Sequence, residues 1–248
     1  MLANLPSYKL DQLNVVILTG AGISAESGIK TFRDNDGLWE NHRIEDVATP
    51  EGFERNADLV YRFYNQRRRQ LISPKVQPNK AHLALAKLEN SLANNVTVIT
   101  QNVDNLHQRA GNNNVLHMHG SLLSVRCLTS DICSDIFTDL DGSNQCDCCQ
   151  PTSRMRPDIV WFGEMPKYMQ QIETLLYKAD LFVSIGTSGT VYPAAGFVSQ
   201  ANLYGAYTLE LNLEPSSGQN EFAEKHYGPA SDLVGQFVDT LLEGHNID

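Results

Sequence analysis

A glycine-rich stretch is the first candidate for chemistry in this sequence. Gly20-Ala21-Gly22-Ile23-Ser24-Ala25 follows a short apolar run at residues 15–18. It matches G-x-G-x-x-G/A after a strand, a pattern that lets the backbone approach a pyrophosphate and points amide N–H groups and a helix start at it. The same residues also suit an ordinary tight turn between a strand and a helix. The position after the first strand favours a dinucleotide site.

The acidic partner that usually accompanies this motif is missing. A dehydrogenase carries an acidic residue at the end of a second strand about 20 residues after the glycines. Here that region, residues 39–43, reads Trp-Glu-Asn-His-Arg and has no strand character. We therefore expect the dinucleotide to be held in another manner, with the ribose contacted by the late stretch Asn212-Leu213-Glu214.

The second candidate is a group of cysteines. All five cysteines of the chain lie between residues 127 and 149: Cys127, Cys133, Cys146, Cys148 and Cys149. An odd number of cysteines crowded into a short segment favours metal ligands over disulfides in a reducing compartment. Four thiolates bind zinc in a closed tetrahedral site that leaves no position for catalysis.

Short apolar runs alternate with helical patterns along the chain and must position these residues. The runs predict buried strands at residues 15–18, 96–100, 115–118, 181–185 and 207–211, and helical spacing is clearest at residues 79–92 and 231–242. Strands that alternate with helices indicate an α/β fold with a Rossmann-like, doubly wound parallel sheet. In such a sheet ligands bind at the carboxyl ends of the strands, so we expect the site there.

Two segments do not fit this alternation. Residues 37–75 are polar and helix-prone, and residues 125–157 hold the cysteines. We expect a helical insertion and a zinc-binding insertion that together form a small domain. Residues 1–36, 76–124 and 158–248 then form the dinucleotide-binding domain.

The composition excludes several classes of protein. The chain has 248 residues and a formal net charge of -10, and this length allows a sizeable core without disulfides. It contains no apolar run of about 20 residues that would span a membrane, and its first residues lack a secretory pattern. The acidic excess counts against direct nucleic-acid binding, which needs clustered Lys and Arg. We expect a cytoplasmic monomer.

Several stretches occur together in the order found in one family. They are Gly20-Ala21-Gly22-Ile23-Ser24, Ser27-Gly28-Ile29, Thr31-Phe32-Arg33, Thr100-Gln101-Asn102-Val103-Asp104-Asn105-Leu106-His107, His117-Met118-His119-Gly120-Ser121 and Gly186-Thr187-Ser188. This set resembles the sirtuins, which are NAD-dependent protein-lysine deacylases, over nearly the whole chain. Tyr64-Asn65-Gln66-Arg67 fits the Tyr-x-x-Arg of the class III bacterial enzymes, which also remove acidic acyl groups.

The resemblance implies a catalytic histidine and a cofactor pocket. His119 matches the family's general base, and imidazole suits that task because its pKa lies near the working pH. Asn102 matches a catalytic residue of the nicotinamide and ribose pocket. We expect the neighbouring His117 to be structural. The implied NAD contacts are Gly20, Ala21, Gly22, Ile23, Ser24, Ala25, Glu26, Ser27, Gly28, Thr31, Phe32, Arg33, Trp39, Gln101, Asn102, Val103, Asp104, Gly186, Thr187, Ser188, Asn212, Leu213, Glu214 and Ala230.

The resemblance also implies a site for the acyl-lysine substrate. Tyr64 and Arg67 lie one turn apart on a predicted helix, where a phenol and a guanidinium fork can bind the carboxylate of a succinyl or malonyl group. Alternatively, Arg67 begins a solvated run of three arginines. Val160 and Phe162 alternate onto one face of a predicted strand at residues 160–164, to whose edge the peptide adds its backbone. A core strand is the alternative there.

The structural zinc site of the family uses two C-x-x-C pairs, and this chain keeps one of them. Cys146 and Cys149 form the second pair, but Ser130 stands where Cys127 should have its partner. We expect one structural zinc ion bound by Cys127, Cys133, Cys146 and Cys149, with Cys148 as the alternative to Cys133. Otherwise the site has decayed and packing holds the loop.

The implied activity is NAD-dependent removal of acetyl and succinyl groups from acylated protein lysines, which yields nicotinamide and O-acyl-ADP-ribose. One alternative is mono-ADP-ribosyl transfer, which leaves ADP-ribose on a protein. Another is a non-catalytic NAD-sensing module. The second alternative predicts that His119 or Asn102 is replaced, and neither is.

Overall fold

The computed structural model of the chain describes residues 1–2, 5, 9–30, 38–39, 42–92 and 95–243. The strands among them are β1 (Val15–Thr19), β2 (Leu38–Trp39), β3 (His42–Arg43), β4 (Val96–Thr100), β5 (Val115–His117), β6 (Gly120–Cys127), β7 (Cys133–Asp135), β8 (Met155–Ile159), β9 (Leu181–Ile185), β10 (Tyr207–Asn212) and β11 (Glu224–Tyr227). The α-helices are α1 (Ile44–Val47), α2 (Pro50–Arg55), α3 (Ala57–Leu71), α4 (Lys80–Ser91), α5 (Leu106–Ala110), α6 (Met169–Lys178), α7 (Phe197–Leu203) and α8 (Ala230–Glu243).

A parallel sheet forms the main scaffold. Within the described residues its order is β11-β10-β9-β1-β4-β5, and every neighbouring pair is parallel. All residues of β1, β4 and β9 are buried, because helices cover both faces of the sheet. Strands buried on both faces read as continuous apolar runs, which is why the sequence located them closely. The predicted Rossmann-like α/β class is confirmed.

Two layers of helices sandwich this sheet. Helices α4 and α8 pack on one face, where Leu85 and Phe237 join a core with Ile17. Helices α6 and α7 pack on the other face, where Leu176 and Phe197 join Phe182. Among the described residues, no helix has the combination of length and apolar character that crossing a membrane requires.

A small antiparallel sheet and three helices form the second core. Strand β6 pairs with β7 on one side and β8 on the other, and α1, α2 and α3 pack against them in a cluster that includes Phe53, Tyr61, Tyr64 and Trp161. Strand β6 begins at Gly120 and β8 ends at Ile159. The sheet therefore extends beyond residues 125–157 on both sides, and the division into domains stays a prediction.

The segment expected to lack strand structure does contain it. Strand β2 pairs antiparallel with β3, and Trp39 lies opposite His42. The expectation was wrong for Trp39, His42 and Arg43, because a pair of two-residue strands needs no run of apolar residues. These strands are separate from the parallel sheet.

Candidate active site

The loops that follow β1 and β9 interlock at the carboxyl edge of the parallel sheet. The Gly20 N–H donates to Ile185 O at 3.0 Å and the Gly22 N–H to Gly186 O at 2.9 Å. A Cβ on Gly22 would lie 2.7 Å from Gly186 Cα, and a Cβ on Gly186, whose φ is +63°, would lie 2.5 Å from Ile23 N. These glycines are required by contact between two backbones, a reason that the motif alone did not supply.

Three polar side chains join the β1 loop to the β4 loop. The Asn102 side-chain N–H donates to Gly20 O at 3.0 Å and to Ser24 Oγ at 3.2 Å. The Ser24 hydroxyl donates to Asp104 Oδ2 at 2.9 Å, and the Leu106 N–H donates to Oδ1 at 3.0 Å. Asp104 is buried, and burial raises the pKa of its carboxyl. The predicted residues Ser24, Asn102 and Asp104 are thus brought together.

Two threonines that the sequence analysis missed lie beneath this cluster. The Thr19 hydroxyl donates to Thr100 Oγ1 at 2.9 Å, and Thr100 Oγ1 also accepts from the Asn102 N–H at 3.0 Å. Both are fully buried. They face each other in register at the ends of β1 and β4. The signal that could have found them is that two adjacent strands end in the same hydroxyl residue.

Other predicted cofactor residues lie along the same edge. Gln101 and Thr187 line one pocket, and the Asn212 side-chain N–H donates to Thr187 O at 2.6 Å. Glu26 Oε1 accepts from the Ser231 N–H at 2.9 Å, which places Glu26 at the start of α8 beside Ala230. In the stretch Asn212-Leu213-Glu214, Asn212 thus contacts this edge of the sheet, whereas Leu213 and Glu214 are exposed.

The remaining predicted contacts have different environments. Ala21, Ile23, Ala25 and Ser27 lie in a 3-10 helix, Ala21–Ser27, that Gly28 closes in a left-handed conformation. Ile23 is fully buried in the core, Val103 packs against the second core, and Ser188 is exposed. Thr31, Phe32 and Arg33 lie outside the described residues, as does the side chain of Trp39.

Two histidines at the end of β5 make different use of their ring nitrogens. His117 Nδ1 and His119 Nδ1 each lie 3.1 Å from a backbone carbonyl, of Asn102 and Gln101 respectively. A carbonyl oxygen only accepts, so both rings carry their proton on Nδ1 and a lone pair on Nε2. His117 Nε2 accepts from the Gln108 side-chain N–H at 2.6 Å. His119 Nε2 has no partner among the described residues.

The protonation of His119 suits a base. Burial lowers the pKa of His119, although the hydrogen bond to Gln101 O raises it in part. The ring is therefore neutral at pH 7, with Nε2 ready to accept a proton. When it does, the Gln101 carbonyl stabilises the charged ring through Nδ1.

The helix residues Tyr64 and Arg67 are buried, and Arg67 is 9% exposed. The Arg67 guanidinium lies 3.2 Å from the centroid of the Phe63 ring and donates to Phe63 O at 2.8 Å. The Tyr64 hydroxyl accepts from the Trp161 indole N–H at 3.0 Å. A solvated arginine run is therefore excluded for Arg67, whereas Arg69 is exposed and pairs with Asp139.

The predicted substrate strand is not a strand. Strand β8 ends at Ile159, and residues 161–164 form a turn that the Glu164 N–H closes on Trp161 O at 3.0 Å. The prediction was wrong because the apolar run contributes one buried side chain, Trp161, to the core and not a continuous face. Val160 is half-buried and Phe162 is exposed.

Four cysteines form a compact group at the end of the small sheet. The sulfur atoms of Cys127, Cys146, Cys148 and Cys149 all lie within 4.8 Å of one another. Cys149 Sγ lies 3.7 Å from Cys127 Sγ and 3.8 Å from Cys148 Sγ. Four sulfur atoms at about 2.3 Å from a central zinc ion are about 3.8 Å apart, so the group fits zinc.

The choice of Cys133 as the fourth ligand is corrected by this geometry. Cys133 is exposed on β7 and does not belong to the group, whereas Cys148 does. Ser130, which stands where a cysteine was expected, lies 3.0 Å from Cys148 Sγ. The β6–β7 hairpin turns Cys133 away, and the chain after Cys146 folds back so that Cys148 takes its place.

A sequence model described as the Sir2 family matches residues 20–193 of the chain. The chain belongs to the Sir2 family. Among curated Sir2 relatives, the NAD-dependent protein deacylase of Shigella flexneri is 61% identical over 235 residues, which is 95% of this chain and 86% of that protein. The NAD-dependent protein deacylase of Vibrio cholerae is 62% identical over 229 residues, 92% of this chain and 93% of that protein.

Solved structures of Sir2 proteins have the same fold. A Sir2 homologue mutant in complex with ADP-ribose has a TM-score of 0.86 and 34% identity, and the match covers 96% of this chain and 97% of that one. A Sir2 protein bound to an acetylated peptide has a TM-score of 0.77 and 29% identity, with 96% and 98% coverage. The sirtuin resemblance inferred from the sequence motifs is confirmed.

Proposed function

We propose that this Sir2 family member is an NAD-dependent protein-lysine deacylase that removes acetyl and succinyl groups and yields nicotinamide and O-acyl-ADP-ribose. The main support for the proposal is the hydrogen bonding of His119. Its Nδ1–H donates to Gln101 O, and its Nε2 has no partner among the described residues. This base stands at the same sheet edge as Ser24, Asn102 and Asp104. The names of the two curated relatives support the reaction type.

The residues of the edge fit NAD by their donor chemistry. Hydroxyl, amide and carboxylate groups are present in Ser24, Asn102 and Asp104, and such groups bond ribose hydroxyls and a carboxamide. Within the described part of the chain, each Asp104 oxygen has one protein donor and keeps a lone pair for another. When bound, NAD supplies the ribose carbon from which nicotinamide departs and the hydroxyl that receives the acyl group.

His119 is the group that moves the proton. Its Nε2 accepts the proton of a hydroxyl while Nδ1 remains on Gln101 O, so the ring keeps its orientation as it becomes charged. Its half-buried position limits access of water to the ring. Base catalysis of this kind contributes about 10²–10⁴-fold to the rate.

Tyr64 and Arg67 are proposed to accept an acidic acyl group. Both side chains are buried against the aromatic cluster, where a carboxylate would meet a phenol and a guanidinium with little competing water. Burial raises the pKa of Tyr64, although the positive charges of Arg67 and Arg156 lower it in part. Val160 and Phe162 are proposed to flank the aliphatic lysine stem.

The cysteine group is proposed to hold a single structural zinc ion outside the reaction. Cys127, Cys146, Cys148 and Cys149 would bind it, and the ion would tie the end of β6 to the loop before β8. The two predicted insertions would form one small domain around this ion. Cysteines that serve as metal ligands and not as disulfides favour a reducing compartment, which supports a cytoplasmic enzyme.

The experiment uses one peptide in acetyl-lysine and succinyl-lysine forms, with and without NAD, followed by mass spectrometry. We expect loss of both groups only when NAD is present. Arg67→Met should lower succinyl turnover relative to acetyl turnover by about tenfold or more. Arg69→Met is the matched control, because Arg69 is the exposed member of the same run and should leave the ratio unchanged. An unchanged ratio in Arg67→Met would exclude the acidic-acyl site.

A further inference from the structure

The loop between β4 and α5, residues 101–105, carries Asn102 and the other polar groups that this loop brings to the sheet edge. His107, the second residue of α5, lies just after the loop and is 1% exposed. The reaction proposed above does not use it. Its ring reaches back to β1, where His107 Nε2 lies 3.1 Å from Thr19 Oγ1. The far end of the loop is therefore tied to the end of β1.

Thr19 also holds the near end of the loop. The Thr19 hydroxyl donates to Thr100 Oγ1 at 2.9 Å, and the Gln101 N–H donates to Thr19 O at 2.9 Å. Thr100 Oγ1 in turn accepts from the Asn102 N–H at 3.0 Å. One threonine thus contacts residues on both sides of the loop, and a chain of three hydrogen bonds leads from the His107 ring to the backbone of Asn102.

The contact between His107 and Thr19 has a defined direction. Thr19 has a single hydroxyl proton, which it donates to Thr100. Thr19 Oγ1 must therefore accept from His107, so Nε2 carries the ring proton and Nδ1 has a lone pair. Burial lowers the pKa of His107 to about 3, so the ring stays neutral at working pH. His107 acts as a neutral donor.

The other ring nitrogen gives no sign of a stabilising role. His107 Nδ1 is buried and has no hydrogen-bond partner among the described residues, and the same is true of Asn112 Oδ1. A proton on Nδ1 would have Asn112 as an acceptor, but burial outweighs this effect on the pKa and keeps the ring neutral. A buried acceptor without a partner lowers the free energy of unfolding, a cost that an apolar side chain avoids. The imidazole is therefore explained by its Nε2–H bond.

We propose that His107 is a positioning residue whose Nε2–H, acting through the hydroxyls of Thr19 and Thr100, fixes the backbone of Asn102 in the candidate active site. The proposal rests on the deacylase function proposed above. It assigns His107 no contact with the reacting atoms. The Asn102 side chain reaches Gly20 O and Ser24 Oγ from this backbone position, and small displacements of site groups lower reaction rates.

The test compares two substitutions of similar length. His107→Gln keeps an N–H donor for Thr19, whereas His107→Met fills similar space without one. We expect kcat for an acetyl-lysine peptide with NAD to fall about 5–10-fold in His107→Met, as one hydrogen bond is lost, and to stay within about twofold in His107→Gln. The KM for the peptide should change by less than about twofold in both. The thermal midpoint of His107→Met should equal or exceed that of His107→Gln, because methionine adds no buried polar atom.

A pair of threonine variants tests the connection independently and also serves if His107→Met does not fold. Thr19→Val should lower kcat by at least as much as His107→Met, and His107→Met should add nothing in that background. Thr97→Val is the matched control. Thr97 is a buried threonine at the other end of β4, and its hydroxyl accepts from the Asn114 side chain at 2.7 Å. Its loss should leave kcat unchanged.

The state of the His107 ring can be read without any activity. Nitrogen NMR of the histidine-labelled protein should show His107 protonated on Nε2 and unchanged from about pH 5 to 8. An Nδ1–H ring would overturn the proposal. So would an unchanged kcat in His107→Met, an equal loss in His107→Gln, or a full effect of His107→Met without the Thr19 hydroxyl. Failure of the proposed function would look different, because the unaltered enzyme would then leave the acetyl peptide intact in the presence of NAD.

Discussion

The carboxyl edge of the parallel sheet and the cysteine group are assembled in different ways. At the edge, Ser24, Asn102 and Asp104 meet because parallel strands bring their ends to one place and glycines allow the loops to touch. In the cysteine group, the β6–β7 hairpin and the short loop that holds Cys146, Cys148 and Cys149 determine which sulfur atoms meet. The edge is thus set by long-range sheet topology, and the cysteine group by local loop geometry.

The largest effect is expected at the edge, where two neighbouring histidines differ. His119→Asn should lower kcat/KM for the acetyl peptide by about 10²–10⁴-fold, because Nε2 is the proposed base. His117→Asn is the matched control and should cost about tenfold or less, since its Nε2 already serves Gln108. Steady-state kinetics with purified variants makes the comparison. Equal losses in the two variants would refute the assignment of the base.

A second substitution tests the contact between the two edge loops. Gly186→Ala places a Cβ 2.5 Å from Ile23 N at a φ of +63°, so we expect the free energy of unfolding to fall by about 3 kcal/mol or more. Gly205→Ala is the control, because Gly205 has a φ of +88° and open space around it. It should cost only about 1 kcal/mol. Urea denaturation measures both, and similar values would show that loop contact is unimportant.

The cysteine group can be tested by exchanging the predicted and the observed ligand. Cys148→Ser should weaken zinc affinity by about tenfold or more, because it removes a ligand, whereas Cys133→Ser should leave it unchanged. Competition with a chromogenic chelator gives the affinity. The absorption of the cobalt-substituted protein reports how many thiolates bind. If Cys133→Ser loses zinc and Cys148→Ser does not, the ligand set expected from the sequence is the right one.

The sequence located some parts of this molecule better than others for physical reasons. Strands β1, β4 and β9 are buried on both faces, so their apolar runs mark them almost to the residue. The edge strand β11 reads Glu-Lys-His-Tyr and carries no such pattern. A run of three arginines looks solvated, yet α3 packs so that Arg67 and Arg68 are buried and only Arg69 is exposed.

The same contrast applies to the candidate site. Motif residues at strand ends were found because backbone topology alone brings them together. The contact between Trp161 and Tyr64 was not predicted, and Cys148 was named only as an alternative ligand, because both depend on side chains that meet across sequence separations that no local spacing records. Thr19 and Thr100 were missed although their register was implied by the predicted strands.

The smallest predicted effect is on the pH profile of the edge. The pKa of His119 is lowered by burial, and the base must be neutral. As pH rises, kcat/KM should therefore increase through a midpoint below the ordinary histidine value of about 6.5 and be flat above pH 7. A profile of kcat/KM from acid to neutral pH measures this. A midpoint above 6.5 would contradict the role of burial, and a profile without an acid limb would contradict a histidine base.

The most direct test of the central claim is the mass balance of the reaction. Acetyl peptide and NAD would be incubated with the enzyme, and nicotinamide, deacylated peptide and O-acetyl-ADP-ribose would be quantified together by mass spectrometry. The proposed function predicts that the three products appear in equal amounts. Free acetate formed without consumption of NAD, or ADP-ribose attached to a protein while the peptide keeps its acetyl group, would contradict it.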